Sequence, residues 1–141
     1  MSRYSAPLRN PDLASKEWQQ FFAKLKITDG EYTPVFSGLT IGGAVGDVGY
    51  AGRFFRFGGR VWFTIELTTS GSRTIASTAG TTYCNPPLLI AQDNICAAVN
   101  SGVALSYGNG IIDKAQNRIY PPAWAATPGD VLISGWYETT F

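Results

Sequence analysis

The sequence predicts an all-β protein, a β-sandwich or jelly-roll-like domain with one short N-terminal α-helix. Three observations carry that expectation. From Glu31 onward, hydrophobic residues recur with period two, the repeat of a strand whose successive side chains face opposite sides. Fifteen of the sixteen glycines and six of the eight prolines punctuate that region at short intervals, as turns between short strands require. Only one stretch, near the N-terminus, follows the helical repeat. The expected division is a 1–29 arm and attachment helix and a 30–141 β-domain.

Residues 1 to 10 read as an extended arm. Asn10-Pro11-Asp12 then supplies helix-start chemistry: an N-cap, a proline at the first position and an acid in the first turn. The helix should run from Pro11 to Lys26, roughly 24 Å. Ala14, Trp18, Phe21, Phe22 and Leu25 fall within about 100° of arc on it. A helix of this length is marginal alone, so its stripe must dock, either on the chain's own sheet or on a partner. Thr28-Asp29-Gly30 should end it in a turn.

Expected strands are Tyr32–Ile41, Ala44–Tyr50, Arg53–Phe57, Arg60–Thr69, Thr74–Ser77, Leu88–Ala91, Ile95–Asn100, Val103–Tyr107, Gly110–Ile112, Arg118–Tyr120 and Val131–Tyr137. Gly42-Gly43, Gly58-Gly59, Gly71, Ala79-Gly80 and Gly108-Asn109-Gly110 are the expected breaks. Pro86-Pro87 and Pro121-Pro122 belong at edges or at crossings between sheets, because proline cannot donate to a ladder.

The segment FFRFGGRVWF, residues 54 to 63, is a hairpin about Gly58-Gly59. Its two-residue turn pairs Phe57 with Arg60, Arg56 with Val61, Phe55 with Trp62, and Phe54 with Phe63. Phe54, Val61, Phe63, Ile65 and Leu67 then share an ordinary core face. The other face carries Phe55, Phe57, Trp62, Arg53, Arg60 and Glu66. Three aromatics are too many for a solvated face, where polar residues are the rule. Either a second layer of the same domain covers them or another subunit does. The last strand, VLISGWY, also has large residues on both faces.

Composition and motifs narrow the function. Net charge is +1, from 11 basic and 10 acidic residues spread along the chain, so nucleic acid is not an expected partner. No apolar run approaches the ~20 residues of a membrane span, so no membrane insertion is expected. The N-terminus has no apolar stretch and does not read as a signal peptide. With no histidine, neither a Ser-His-Asp nor a Cys-His arrangement can form. Asp93, Asp113 and Asp130 lie in turn contexts, where Asp serves local hydrogen bonds. No phosphate-loop or calcium-loop pattern is present. The expectation is a non-enzyme with no cofactor and no metal; a glycan-degrading activity would need two carboxylates about 5–10 Å apart in one groove. Cys84 and Cys96 sit in separate expected strands; they either pair as a disulfide or, as is favoured in a reducing cytoplasm, stay free thiols. Tyr107, Tyr120 and Trp124 are candidates for contact with a receptor or glycan, although for Trp124 the favoured reading is that it closes one end of the sandwich core, since large aromatics are mostly buried.

Four segments carry a resemblance: GEYTPVFSGLTIGG, YAGRFFRFGGRVWFTIEL, TIASTAGTTYCNPP and RIYPPAWAATPGDVLISGWYE. Together they resemble the β-rich domain of tail-fibre and other virion structural proteins of tailed bacteriophages, across residues 30 to 138. The resemblance implies a homotrimer whose interface would take Phe55, Phe57 and Trp62. It implies attachment to other virion proteins through the N-terminal arm and helix, with Trp18, Phe21, Phe22 and Leu25 in contact. It also implies that Cys84 fills a core position. The expected function is a short tail fibre or spike, made in the host cytoplasm and displayed on the virion toward a host glycan or protein. The alternatives are a capsid-decorating or head-fibre protein, or a carbohydrate-binding module that could be monomeric.

Overall fold

The computed structural model describes residues 16–140, without the side chains of residues 22–25. A helix, α1 (Lys16–Leu25), leads into twelve strands: β1 (Thr28–Tyr32), β2 (Phe36–Ser37), β3 (Thr40–Gly42), β4 (Val48–Phe57), β5 (Arg60–Thr69), β6 (Thr74–Ser77), β7 (Tyr83–Cys84), β8 (Asn94–Asn100), β9 (Leu105–Asp113), β10 (Arg118–Tyr120), β11 (Trp124–Thr127) and β12 (Asp130–Glu138). The all-β class holds. The expected start of the helix, Asn10 to Ser15, lies outside the described residues.

Nine strands form one sheet in the order β1-β4-β5-β12-β8-β9-β10-β7-β2, and β11-β6-β3 form a second. The two edge strands of the large sheet, β1 and β2, are separated in sequence by only Thr33, Pro34 and Val35. The sheet must therefore curl until its edges nearly meet. The Tyr32 hydroxyl donates to the Asn85 carbonyl just beyond β7, at 3.3 Å, and Phe36 packs on Tyr50 with ring centroids 5.9 Å apart. The curled sheet's inward face is the core: Val61, Phe63, Ile65 and Leu67 of β5, Val131, Ile133 and Tyr137 of β12, Cys96 and Ala98 of β8, Ile112, Ile119 and Cys84. Ile75 and Trp124 close it from the small sheet.

The hairpin register about Gly58-Gly59 is as expected, from Phe57↔Arg60 to Phe54↔Phe63, and Gly58 has the positive φ of +60° that the turn needs. Pro121-Pro122 carries the chain from β10 in the large sheet to β11 in the small one.

Several expectations are corrected. Thr28-Asp29-Gly30 is strand, not turn. β1 pairs with β4 from Thr28↔Arg56 to Tyr32↔Gly52, and pairing with a long hairpin overrides the weak local preference of TDGEY. The expected strand Tyr32–Ile41 is broken by Pro34 and by Gly38, whose φ is +74°. Residues 44–47 form a loop, and β4 runs unbroken through Ala51-Gly52 because the ring of Tyr32 lies against the bare Cα of Gly52. Gly108-Asn109-Gly110 does not interrupt β9. Gly108, at φ +90°, takes up a bulge opposite Ala98 and Val99, and pairing resumes with Gly108↔Ala98. Leu88–Ala91 is a loop, tied down by Tyr137: the Tyr137 hydroxyl donates to the Leu88 carbonyl at 2.8 Å and accepts from the Leu88 N–H at 3.1 Å.

Candidate assembly face and adjoining cleft

Alternation along β5 puts Trp62 on the opposite side from Val61 and Phe63, and register does the rest. Phe55 of β4 stands beside Trp62 of β5, and Trp62 beside Trp136 of β12. One step beyond the last β12–β8 pair, Gly135↔Cys96, Trp136 reaches the level of Ile95, where the Asn94 amide donates to the Trp136 carbonyl at 2.8 Å. Ile95 pairs with Ile111, and Ile111 with Tyr120. A single apolar row thus crosses β4, β5, β12, β8 and β9 on the sheet's outward face. Its members are exposed: Phe55 42%, Trp62 41%, Trp136 39%, Ile95 60% and Ile111 58%. Phe55 and Trp62 are 6.0 Å apart between centroids.

Charge flanks the row on one side. The Arg60 guanidinium lies 4.2 Å from the centroid of the Trp136 ring and bridges to Glu138 at 2.9 Å; exposed Phe57 pairs with Arg60. On the other side, Thr64, Ser134 and Ala97 make a row of small side chains. The second face of the hairpin is therefore covered by no other layer among the described residues. Phe55, Phe57 and Trp62 fall together as the sequence suggested. Trp136, Ile95 and Ile111 were missed, because their place depends on the order of distant strands. The two-faced pattern of VLISGWY was the available signal for Trp136.

Beyond Ile111 the row runs into a cleft of about 660 Å³ lined by Tyr107, Tyr120, Asn109, Asp113, Gln116 and Pro121 among others. Tyr107 and Tyr120 come together there. Trp124 does not: it is 5% exposed, and its indole N–H donates to the Ile75 carbonyl at 3.1 Å, so it closes the core and presents no contact surface. Tyr107 stacks on it, with centroids 5.5 Å apart. Asp113 serves its turn by accepting from the Ala115 N–H at 3.0 Å, and Asp93 accepts from Lys114 at 2.7 Å.

Of the expected attachment residues, Trp18 and Phe21 are half-buried and meet edge to face at 5.6 Å; the side chains of Phe22 and Leu25 lie outside those described. A second groove, about 690 Å³, is lined by Glu31, Arg53 and Glu66. Both carboxylates are exposed. Cys84 and Cys96 are free and buried. Burial, with the neighbouring Cys96 adding to it, pushes the Cys84 thiol well up from its ordinary value, and burial pushes Cys96 up to about 11. Such thiols are poor nucleophiles. Among the described residues, no group of three or more carboxylates and thiols could hold a metal ion, and no helix is long and apolar enough to cross a membrane.

No protein-family model, no curated protein and no solved structure matches the chain.

Proposed function

We propose that this protein is a non-enzymatic structural module that assembles with copies of itself through the outward face of its large sheet. The observation that supports the reading is the row of Phe55, Trp62, Trp136, Ile95 and Ile111, five large apolar side chains adjoining across strands and each more than a third exposed. A monomer rarely keeps such a contiguous patch in water without a partner. The row has the anatomy of an interface core, aromatic at the centre with an Arg–Glu pair at its margin.

The setting proposed is a virion: a short, trimeric tail-fibre or spike-type appendage of a tailed bacteriophage, or its capsid-decorating equivalent. Residues 1–26 would attach to other virion proteins, and the β-domain would face the host. The number three and the setting both come from the resemblance of the four sequence segments. Light scattering on the purified chain at micromolar concentration tests the assembly directly. Three 15.2 kDa chains per particle are expected, and a clean monomer would overturn the reading.

A further inference from the structure

The cleft at the end of the apolar row is built from parts held rigidly by the rest of the protein. Its floor depends on Gly110, where a Cβ would land on the Tyr120 carbonyl, so the chain leaving β10 passes directly against β9. Its two aromatic walls are fixed from behind. Tyr107 is stacked on buried Trp124, and its hydroxyl accepts from the Asn100 amide at 3.2 Å. The Tyr120 hydroxyl donates to Gln116 Oε1 at 2.7 Å; Arg118 donates to the same oxygen at 2.7 Å while lying 3.9 Å from the centroid of the Tyr83 ring. The polar groups at the rim are the Asn109 and Gln116 carboxamides and the Asp113 carboxylate.

We propose that this cleft binds a neutral carbohydrate. Preformed clefts of roughly 300–1,000 Å³ with apolar walls and a few convergent polar groups are the usual form of a ligand site, and this one measures about 660 Å³. Fixed tyrosine rings offer flat apolar surface to the C–H faces of a pyranose. The carboxamides accept from and donate to adjacent hydroxyls, and the carboxylate accepts from them. Among the described residues, no lysine or arginine lines the cleft, and Arg118 is already engaged, so none of them would offset the charge of an acidic or sulfated sugar. A proline-rich peptide fits less well, because a polyproline segment has no N–H to give the Asp113 carboxylate or the Asn109 carboxamide oxygen. The inference stands on a different set of residues from the assembly reading, Ile111 alone being common to both.

The test exposes the full chain to an array of neutral hexose and N-acetylhexosamine oligosaccharides, with sialylated and sulfated oligosaccharides and a decaproline peptide beside them. Neutral oligosaccharides should be retained. Titration of the best of them should then show Tyr120→Ala weakened roughly tenfold, the effect of losing a stacking ring. Tyr120→Phe, which keeps the ring and loses only the hydroxyl's tie to Gln116, should recover most of that loss. Asn109→Ala alters an exposed side chain on a strand and should weaken binding with the fold intact. Retention of nothing, of acidic or sulfated sugars alone, or of decaproline alone overturns the proposal. So does full affinity in both Tyr120→Ala and Asn109→Ala. Light scattering on the same samples reads the assembly separately, so failure of one inference is not mistaken for failure of the other.

Discussion

Replacing Trp62 by alanine tests the assembly face at its centre. The indole is 41% exposed in the single chain, which leaves about 100 Å² of a side chain of about 250 Å² open to water. At about 25 cal/mol per Å², covering that surface contributes about 2.5 kcal/mol for each protomer. Its loss should weaken each protomer's association by nearly two orders of magnitude, at about 1.4 kcal/mol per tenfold. Rotational symmetry repeats the loss at every copy, so a trimer at micromolar concentration should fall apart. The fold should persist, because Val61, Phe63, Ile65 and Leu67 fill the opposite face and are untouched. Light scattering should report single chains, circular dichroism should keep its β signature, and the native protein alone should melt at a temperature that rises with concentration. Val103→Ser, at an equally apolar and 68% exposed position off the row, is the control and should assemble normally. Two results would refute the reasoning. One is Trp62→Ala that still assembles as the native chain does. The other is a loss of stability that is large and independent of protein concentration, which would make Trp62 part of the protomer's own core.

Three further outcomes follow from other parts of the molecule. A shortened chain beginning at Ile27, just ahead of β1, should retain its β-type circular dichroism but fail to join particles; insolubility would mean that α1 belongs to the core. Gly110→Ala should cost about 1–3 kcal/mol in urea unfolding, because the new methyl meets the Tyr120 carbonyl and strand must move from strand; an unchanged midpoint would show that the crossing is loose. Stability should be flat below about pH 9 and fall as pH rises through 11. Burial raises Cys96 from 9.0 to about 11 and raises Cys84, Tyr32 and Tyr137 too, so the folded chain keeps protons that the unfolded chain releases. Each retained proton gives a slope of about 1.4 kcal/mol per pH unit, and urea midpoints that stay constant to pH 11 would contradict it.

What the sequence disclosed and what it withheld divide along a physical line. The turn and register of the β4–β5 hairpin were legible to the residue, because two glycines between strand-forming runs fix both locally, although the extent of β4 was not. From that register alone, Phe55, Phe57 and Trp62 could be set on one face. β1 was not legible. Thr-Asp-Gly favours a turn in isolation, and only β4 beside it makes it a strand. The same holds for β9, where glycine reads as a break but acts as a bulge. The rest of the row was out of reach for a related reason: Trp136, Ile95 and Ile111 join Trp62 only through the order β5-β12-β8-β9, which no local pattern encodes. Trp124 illustrates the converse. Although it stands between prolines and small residues, its bulk pointed to the core, and the core takes the ring, with the Ile75 carbonyl as partner for its N–H.

The place of β12 bears on how the chain is made. Every strand that β12 joins precedes it in the sequence, yet it lies between β5 and β8 in the middle of the large sheet. While the chain is being synthesised, β1-β4-β5 and β8-β9-β10-β7-β2 can exist only as two half-sheets, each with an open inner edge. An open edge is a template for the wrong neighbour, and nascent chains on the same messenger are close at hand. Asp130–Glu138 fills the gap between the two half-sheets. It zips the halves together through nine residue pairs with β5 and five with β8. In the same stroke it sets Trp136 beside Trp62, so the surface on which copies would meet does not exist until the protomer is whole.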